Sequence, residues 1–323
     1  MGQIGAMTLS LPRPSSRFPL SVILKIDAEE SLDRFNQTLD ALLPQFPGVR
    51  FESNPERLLL WATSESELRG ISVLLDRDCL HSLDLGSLAI TYLETIRQPA
   101  EGEGKYIRQT GGRGNYGHCK IRLNPSTPGS GYSFVNELQP GQIPAAYIES
   151  IDIGIRQSLE SGILRGFPIV DLIATLYDGS AHEADSNEVA FQIAASIATK
   201  TAARKAAPVV LEPVVEALIE APDTYAGLML RELAHHRAQI QSTESNFGIT
   251  EIRAILPLVE TLRSDSPTWF DLPGVKDNFR FLGYQPMASE GPGGGTADIF
   301  ARKPNGPGPR YSSAAADLIF EQE

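Results

Sequence analysis

The sequence predicts an α+β chain of three consecutive units, on three observations. Residues 17–97 alternate strand-like and helix-like patterns in the order β-α-β-β-α-β. Residues 98–208 begin with strands and end in the two clearest amphipathic helices of the chain. Residues 209–288 start a β-α-β-β order again. A length of 323 residues, more than one hydrophobic core usually serves, agrees with this division.

In the first unit "FPLSVILKI" reads as a strand, and Asp27-Ala28-Glu29-Glu30 opens a helix with Leu32, Phe35, Leu39 and Leu42 on one face. Pro44 and Pro47 stop it. "VRFES" and "RLLLWA" form a hairpin about Asn54-Pro55-Glu56, Ser64 to Asp76 is helical with Leu68, Ile71 and Leu75 aligned, and "SLAITYLETI" closes the unit as a strand. That order is the one of a ferredoxin-like two-layer sandwich.

In the second unit Tyr147, Ile151, Ile155 and Leu159 step by four, with Glu149, Asp152 and Arg156 on the opposite side, so one stripe is buried. "FPIVDLIATLY" is a strand stopped by Asp178-Gly179. The next helix is expected to start at Asp185 with Glu188 as its capping partner, to bury Val189, Ile193 and Ile197, and to end in Lys200, Arg204 and Lys205 before Pro208. In the third unit "PVVEALIEAP" is a strand, Thr224 to His236 a helix, and "AQIQSTES" with "ITEIRAILPL" a hairpin; after Val259 no element is assigned. Residues 289–323, with "GPGGG" and "NGPGP", read as a flexible tail in which "SSAAADLIF" is the last helix-like piece.

The composition excludes several classes. No apolar run approaches the roughly 20 residues that cross a bilayer, and no secretory leader pattern opens the chain, so a cytoplasmic protein without membrane contact is expected. Cys79 and Cys119 are too few for a disulfide framework or a four-ligand zinc site. Adjacent His235 and His236 diverge on a helix with no carboxylate partner evident, so no metal and no cofactor is expected. Gly104-Lys105 lacks the remaining P-loop residues, since Pro99 and Tyr106 stand where Gly and Ser or Thr are needed. Gly112-Arg113-Gly114-Asn115-Tyr116-Gly117 fits a dinucleotide pattern but precedes an alternating strand instead of a helix. His118 and Cys119, neighbours on that strand, point to opposite faces and cannot act as a nucleophile–base pair. No enzymatic activity is expected.

The positive signal is local charge. Lys105, Arg108, Arg113, Lys120 and Arg122 fall within 18 residues that hold no acid, inside a chain of net charge −12. Glycines allow close backbone approach, Arg113 can grip a phosphate with two donors, and Tyr116 and His118 can stack on a base. The same residues also describe an ordinary solvated glycine hairpin, and composition alone does not choose between the two.

At this point the residues resemble a known family. "IRQTGGRGNYGHCKI" is similar to the start of domain IV of translational elongation factor G. "TYLETIRQP" resembles its domain III–IV junction, "IPAAYIESIDIGIRQSLESGILRGFPIVDL" and "DGSAHEADSNEVAFQIAASIA" its later domain IV, and "PVVLEPV" its entry to domain V. The resemblance implies domain III-like, ribosomal-protein-S5-like and domain V-like units, the first and last ferredoxin-like. It implies an RNA-binding arm that enters the ribosomal A site and touches rRNA and tRNA with two tip loops. Carried over, those loops hold Gly112, Arg113, Gly114, Asn115, Tyr116 and His118 on one side and Gly179, Ser180 and His182 on the other, His182 standing at the family's tip histidine.

Departures accompany the likeness. The family's GTP-binding domains would precede residue 18 and are absent from these 323 residues, so nucleotide turnover is expected from a separate GTPase chain or from an N-terminal part of which this is the continuation. "WATSESELRGI" keeps only Glu67-Leu68 of the family's Gly-Met-Gly-Glu-Leu-His-Leu stretch, and "LMLRELAHHRAQ" replaces an arginine run in domain V. The rival reading is a degenerate copy whose scaffold serves a protein partner.

Overall fold

The computed structural model describes residues 18–26, 30–54, 57–78, 83–85, 88–109, 114–262 and 272–287. The chain is α+β, with three sheets in sequence. The first runs β1 (Leu20–Ile26), α1 (Glu30–Leu42), β2 (Val49–Asn54), β3 (Arg57–Ala62), α2 (Glu65–Asp78) and β4 (Leu83–Leu85). Its antiparallel order β2-β3-β1-β4 is the ferredoxin-like one. Phe35, Leu39 and Leu42 of α1 and Leu68, Ile71 and Leu75 of α2 are buried, as their helical spacing predicts.

One expectation fails at the end of this unit. "SLAITYLETI" is two strands serving two sheets: β5 (Ala89–Ile90) pairs with β1, while β6 (Leu93–Ile96) pairs with a strand of the third sheet. The break follows from the long strand at Pro208, which offers β6 a full antiparallel edge from Ile96↔Pro208 to Leu93↔Leu211.

The middle unit holds β7 (Ala100–Arg108), β8 (Asn115–Pro125), β9 (Tyr132–Asn136), α3 (Ile148–Glu160), β10 (Leu172–Ser180) and α4 (Glu188–Lys205). The sheet order is β7-β8-β10-β9, with β9 and β10 parallel across the α3 crossover. In α3, Ile151, Ile155 and Leu159 are buried, and Tyr147 just before it stacks on Phe191 with centroids 4.9 Å apart.

Helix α4 buries a different face from the one its branched residues suggest. Val189 and Ile197 are exposed, and the buried side is Ala190, Phe191, Ala194, Ala195, Ala198, Ala202 and Ala203. The cause lies in the strands beneath. A Cβ on Gly104 would stand 1.8 Å from the Ala194 carbonyl oxygen, on Gly102 2.0 Å from that of Ala198, and on Gly117 2.4 Å from that of Ala190. Glycines and alanines thus let helix backbone lie directly on sheet backbone, and branched side chains have no room there. The helix start also differs: Asn187 is the cap, its Oδ1 accepting from Ala190 N at 2.9 Å, which leaves Asp185 for another task.

The third unit runs β11 (Pro208–Pro222), α5 (Asp223–His235), β12 (Gln239–Asn246), β13 (Ile249–Pro257) and β14 (Lys276–Pro286). The order β12-β13-β11-β14 repeats the ferredoxin-like arrangement. Strand β14 lies in the stretch after Val259 to which no element is assigned from sequence; its side chains are only partly buried, so it shows no strong alternation. The tail from 288 on, Cys79 and the first hairpin's turn at Pro55-Glu56 lie outside the described residues.

Strand β6 joins the middle and third units. One of its edges pairs with β11, while on the other Glu94 N donates to Pro168 O (2.8 Å) and Val170 N donates to Glu94 O (2.9 Å). The fully buried Glu94 carboxylate accepts from four backbone amides of the loop after α3: Ile163 (2.6 Å), Leu164 (3.0 Å), Arg165 (2.8 Å) and Phe167 (3.2 Å). An anion in a nest of amides satisfies these donors of the turn and fixes the middle unit against the third sheet. Tyr92 stacks on Phe167 beside it, with centroids 5.4 Å apart.

Candidate nucleic-acid interface

Strand β8 turns Gly117, Cys119, Ile121 and Leu123 under α4, so Tyr116, His118, Lys120 and Arg122 face outward on the sheet. Residues opposite one another across a ladder share a face, which arranges this surface in rows. Nearest the base, Arg122 Nε donates to Glu101 Oε1 at 2.9 Å and its guanidinium lies 4.7 Å from the Tyr177 ring centroid. In the next row Lys120 Nζ donates to Asp178 Oδ2 at 2.8 Å. The Lys120 hydrogen bond, helped by the Gly179 amide, holds the Asp178 carboxyl below the usual range, and Asp178 in turn raises Lys120. The cluster of five cations is therefore smaller as a surface than as a sequence count, because two are neutralised by acids from neighbouring strands.

The distal rows differ. Lys105, in the outward row opposite His118, and Arg108, opposite Asn115 and by alternation on the α4 side of the sheet, form no ion pair among the described residues; Lys105 Nζ lies 6.0 Å from the Tyr116 ring centroid. Tyr116 stands opposite Ile107, which is 62% exposed.

The two loops singled out from the sequence meet at this end. Asp185, released from capping, accepts from Gly114 N through Oδ1 at 3.0 Å, and its carbonyl accepts from Tyr116 N at 2.8 Å. Asn187 Nδ2 donates to Asn115 Oδ1 at 2.7 Å. Ser186 closes the second loop on itself, its Oγ accepting from His182 N (2.8 Å) and its amide donating to His182 O (3.0 Å). His182 emerges with 58% of its side chain exposed, Nδ1 lying 3.4 Å from Asp185 Oδ2 and its ring centroid 6.2 Å from that of Tyr116.

The candidate residues thus sort by position. His182 is presented to solvent, with Tyr116 half-buried beside it. Gly114 is buried with its amide engaged by Asp185, so it organises the loop instead of offering an amide outward. Asn115 braces Asn187. Gly179 is buried in β10, where a Cβ would meet the His118 carbonyl oxygen at 2.6 Å. The Ser180 hydroxyl lies 2.8 Å from Tyr116 Oη and 2.9 Å from His118 Nδ1. His118 also contacts Glu103 Oε1 through Nε2 at 2.8 Å, so both ring nitrogens are engaged and the ring acts as a strut on the sheet face. Gly112 and Arg113 lie outside the described residues. Sequence reasoning counts Lys105 and Arg108 but does not place them in the site; what marks them is that they form no ion pair among the described residues, the acid nearest Lys105 in the chain, Glu103, being engaged by His118.

Comparison with known proteins decides the family. Residues 88–207 match the model for elongation factor G, domain IV, and residues 209–265 match that for the elongation factor G C-terminus, together more than half of the chain. The chain belongs to the elongation factor G family. A crystal structure of a Thermus thermophilus protein is similar over 86% of this chain at 33% identity, with a TM-score of 0.60. This chain spans 43% of the length of that protein.

Within the elongation factor G fold, the departures noted in the sequence have local explanations. Glu67, retained in the first unit, closes the turn before β2 by accepting from Gly48 N at 2.9 Å and from the Thr63 hydroxyl. In the third unit the expectation that His236 has no carboxylate partner is corrected. His236 is buried with Nδ1 3.2 Å from Glu260 Oε2, and Arg237 binds Glu260 Oε1 at 2.8 Å and Glu212 at 3.1 and 3.2 Å. Glu260 is 24 residues from His236 in sequence, which hides the pairing. Burial, opposed by Arg237, leaves the Glu212 carboxyl above its usual range. Cys119 is buried, and burial pushes its thiol up to about 12, far from a reactive thiolate. Among the described residues no helix is long and apolar enough to cross a membrane.

Proposed function

We propose that this chain is a ribosome-binding translation-factor region that contacts rRNA and tRNA in the A site through the distal end of its middle unit. The observation that carries the reading is the convergence of the two loops on an exposed His182 beside Tyr116, whose ring Lys105 approaches, while neither Lys105 nor Arg108 at this end forms an ion pair among the described residues. Cations attract phosphates, Tyr116 and His182 offer rings to an unstacked base, and the −12 body keeps nonspecific nucleic-acid binding low. The Glu94 nest and the glycine–alanine packing of α4 make the arm stiff, so contacts at its end are held in register with the third unit.

An arm that only binds can occupy or remodel a site. Directional translocation needs a coupled source of free energy, and in this reading a GTPase supplies it from outside these 323 residues. Co-sedimentation with purified ribosomes across a salt series tests the proposal. Binding that falls as salt rises is expected, and the variant Lys105→Ala/Arg108→Ala should show a shallower salt dependence by roughly two phosphate contacts. No pelleting above background at low salt removes the reading.

A further inference from the structure

The hairpin between β12 and β13 carries two features that cost the fold and that the arm does not use. Its two-residue turn is Phe247-Gly248, with φ of +53° and +86°. Positive φ at both positions is the twist-matched hairpin turn, for which Asn-Gly is the favoured pair and a bulky side chain at the first position is strained. Phe247 is also fully exposed, so it gains no burial in return, and Ile249 beside it is 51% exposed. The turn is nevertheless firmly held. Asp223 N donates to Gly248 O at 3.0 Å, and Asp223 Oδ1 accepts from the Ser245 (2.9 Å) and Thr250 (2.6 Å) hydroxyls.

The second feature is charge. Glu244 stands opposite Glu251, and Glu251 opposite Glu220, so three carboxylates form one row across β12, β13 and β11 on the sheet face turned away from α5. Like charges directly opposed across strands are destabilising. Arg253 compensates Glu251, with Nε and an Nη at 3.0 Å, and Lys276 ends the row opposite Glu220; Glu244 has no ion pair among the described residues.

We infer that this hairpin end, Phe247 and Ile249 above the row Glu244–Glu251–Glu220, is a docking surface for a basic amphipathic protein segment. The aromatic knob supplies apolar area to a pocket, and the row, in which three carboxylates stand against Arg253 and Lys276, keeps Glu244 uncompensated and so favours a cationic over an anionic rim. The surface is distinct from the distal end of the middle unit, and its one uncompensated charge among the described residues, Glu244, has the opposite sign to Lys105. A nucleic-acid ligand would need the reverse sign.

The test uses the full chain and a fluorescein-labelled amphipathic Lys/Leu peptide read by anisotropy, with a Glu/Leu peptide and poly-uridylate as alternative probes. Phe247→Asn restores the favoured turn residue, so it is expected to raise the thermal midpoint while weakening the Lys/Leu peptide at least tenfold; Glu244→Lys weakens it without a loss of fold. A wild-type chain that ignores the Lys/Leu peptide, a Phe247→Asn variant that binds it equally, or a preference for Glu/Leu or poly-uridylate at this hairpin overturns the inference. None of these outcomes depends on the distal end of the middle unit, which His182→Ala probes separately.

Discussion

The two ends of the middle unit put the same kinds of residue to opposite uses. At the base an acid, Glu94, is buried among four amides, and the cations Lys120 and Arg122 are paired with Asp178 and Glu101. At the distal end Lys105 and Arg108 form no ion pair among the described residues, and a histidine stands in solvent. Satisfied groups stabilise and unsatisfied ones are available to a partner, so the base is where rigidity resides and the distal end is where binding is proposed.

The largest expected effect breaks the base. Glu94→Ala leaves four backbone amides without that acceptor and should cost about 3–5 kcal/mol, with faster hydrogen exchange at 163–167. Denaturant titration measures the first and exchange mass spectrometry the second; a change under about 1 kcal/mol, on the order of a surface substitution, would contradict the nest's role. Next comes Gly104→Ala, whose Cβ would stand 1.8 Å from the Ala194 carbonyl oxygen and should force α4 off the sheet at about 1–3 kcal/mol. The branched Val189→Ala change on the exposed side of the same helix should be within about 0.5 kcal/mol, which sharpens the distinction between its faces.

The pH dependence gives a smaller effect. Lys120 depresses the folded-state pKa of Asp178, so the stabilisation is present above the unfolded value, near 4, and is lost as pH falls through the folded one. Asp178→Asn should therefore flatten the stability curve only below about pH 4, and weakly, because both side chains are about one-third exposed. Glu212 runs the other way. Its folded pKa is raised, mainly by burial, so its contribution increases as pH falls through that value toward 4.5 and is absent above it; Glu212→Gln should remove that part.

How much of this is legible in the sequence varies by element. The stripe of α3 and the first unit's helices are readable because large apolar residues at helical spacing face a core. Helix α4 misleads for the same reason: Val189, Ile193 and Ile197 carry the apparent stripe, but the partner surface is glycine backbone, against which alanine fits. Strand β14 and the split of 88–96 depend on a long partner strand far away in sequence. For the candidate site, His182 is named from family position, whereas the division between Lys120, paired with Asp178, and Lys105, which forms no ion pair among the described residues, depends on which strands are neighbours.

The most direct test of the central claim is ribosome co-sedimentation of Lys105→Ala/Arg108→Ala/His182→Ala beside the wild-type chain at low and moderate salt, with thermal unfolding of both. The account predicts unchanged thermal midpoints, at least a tenfold loss of binding at low salt, and a shallower salt slope for the variant. Equal pelleting of the two proteins at every salt concentration would contradict it.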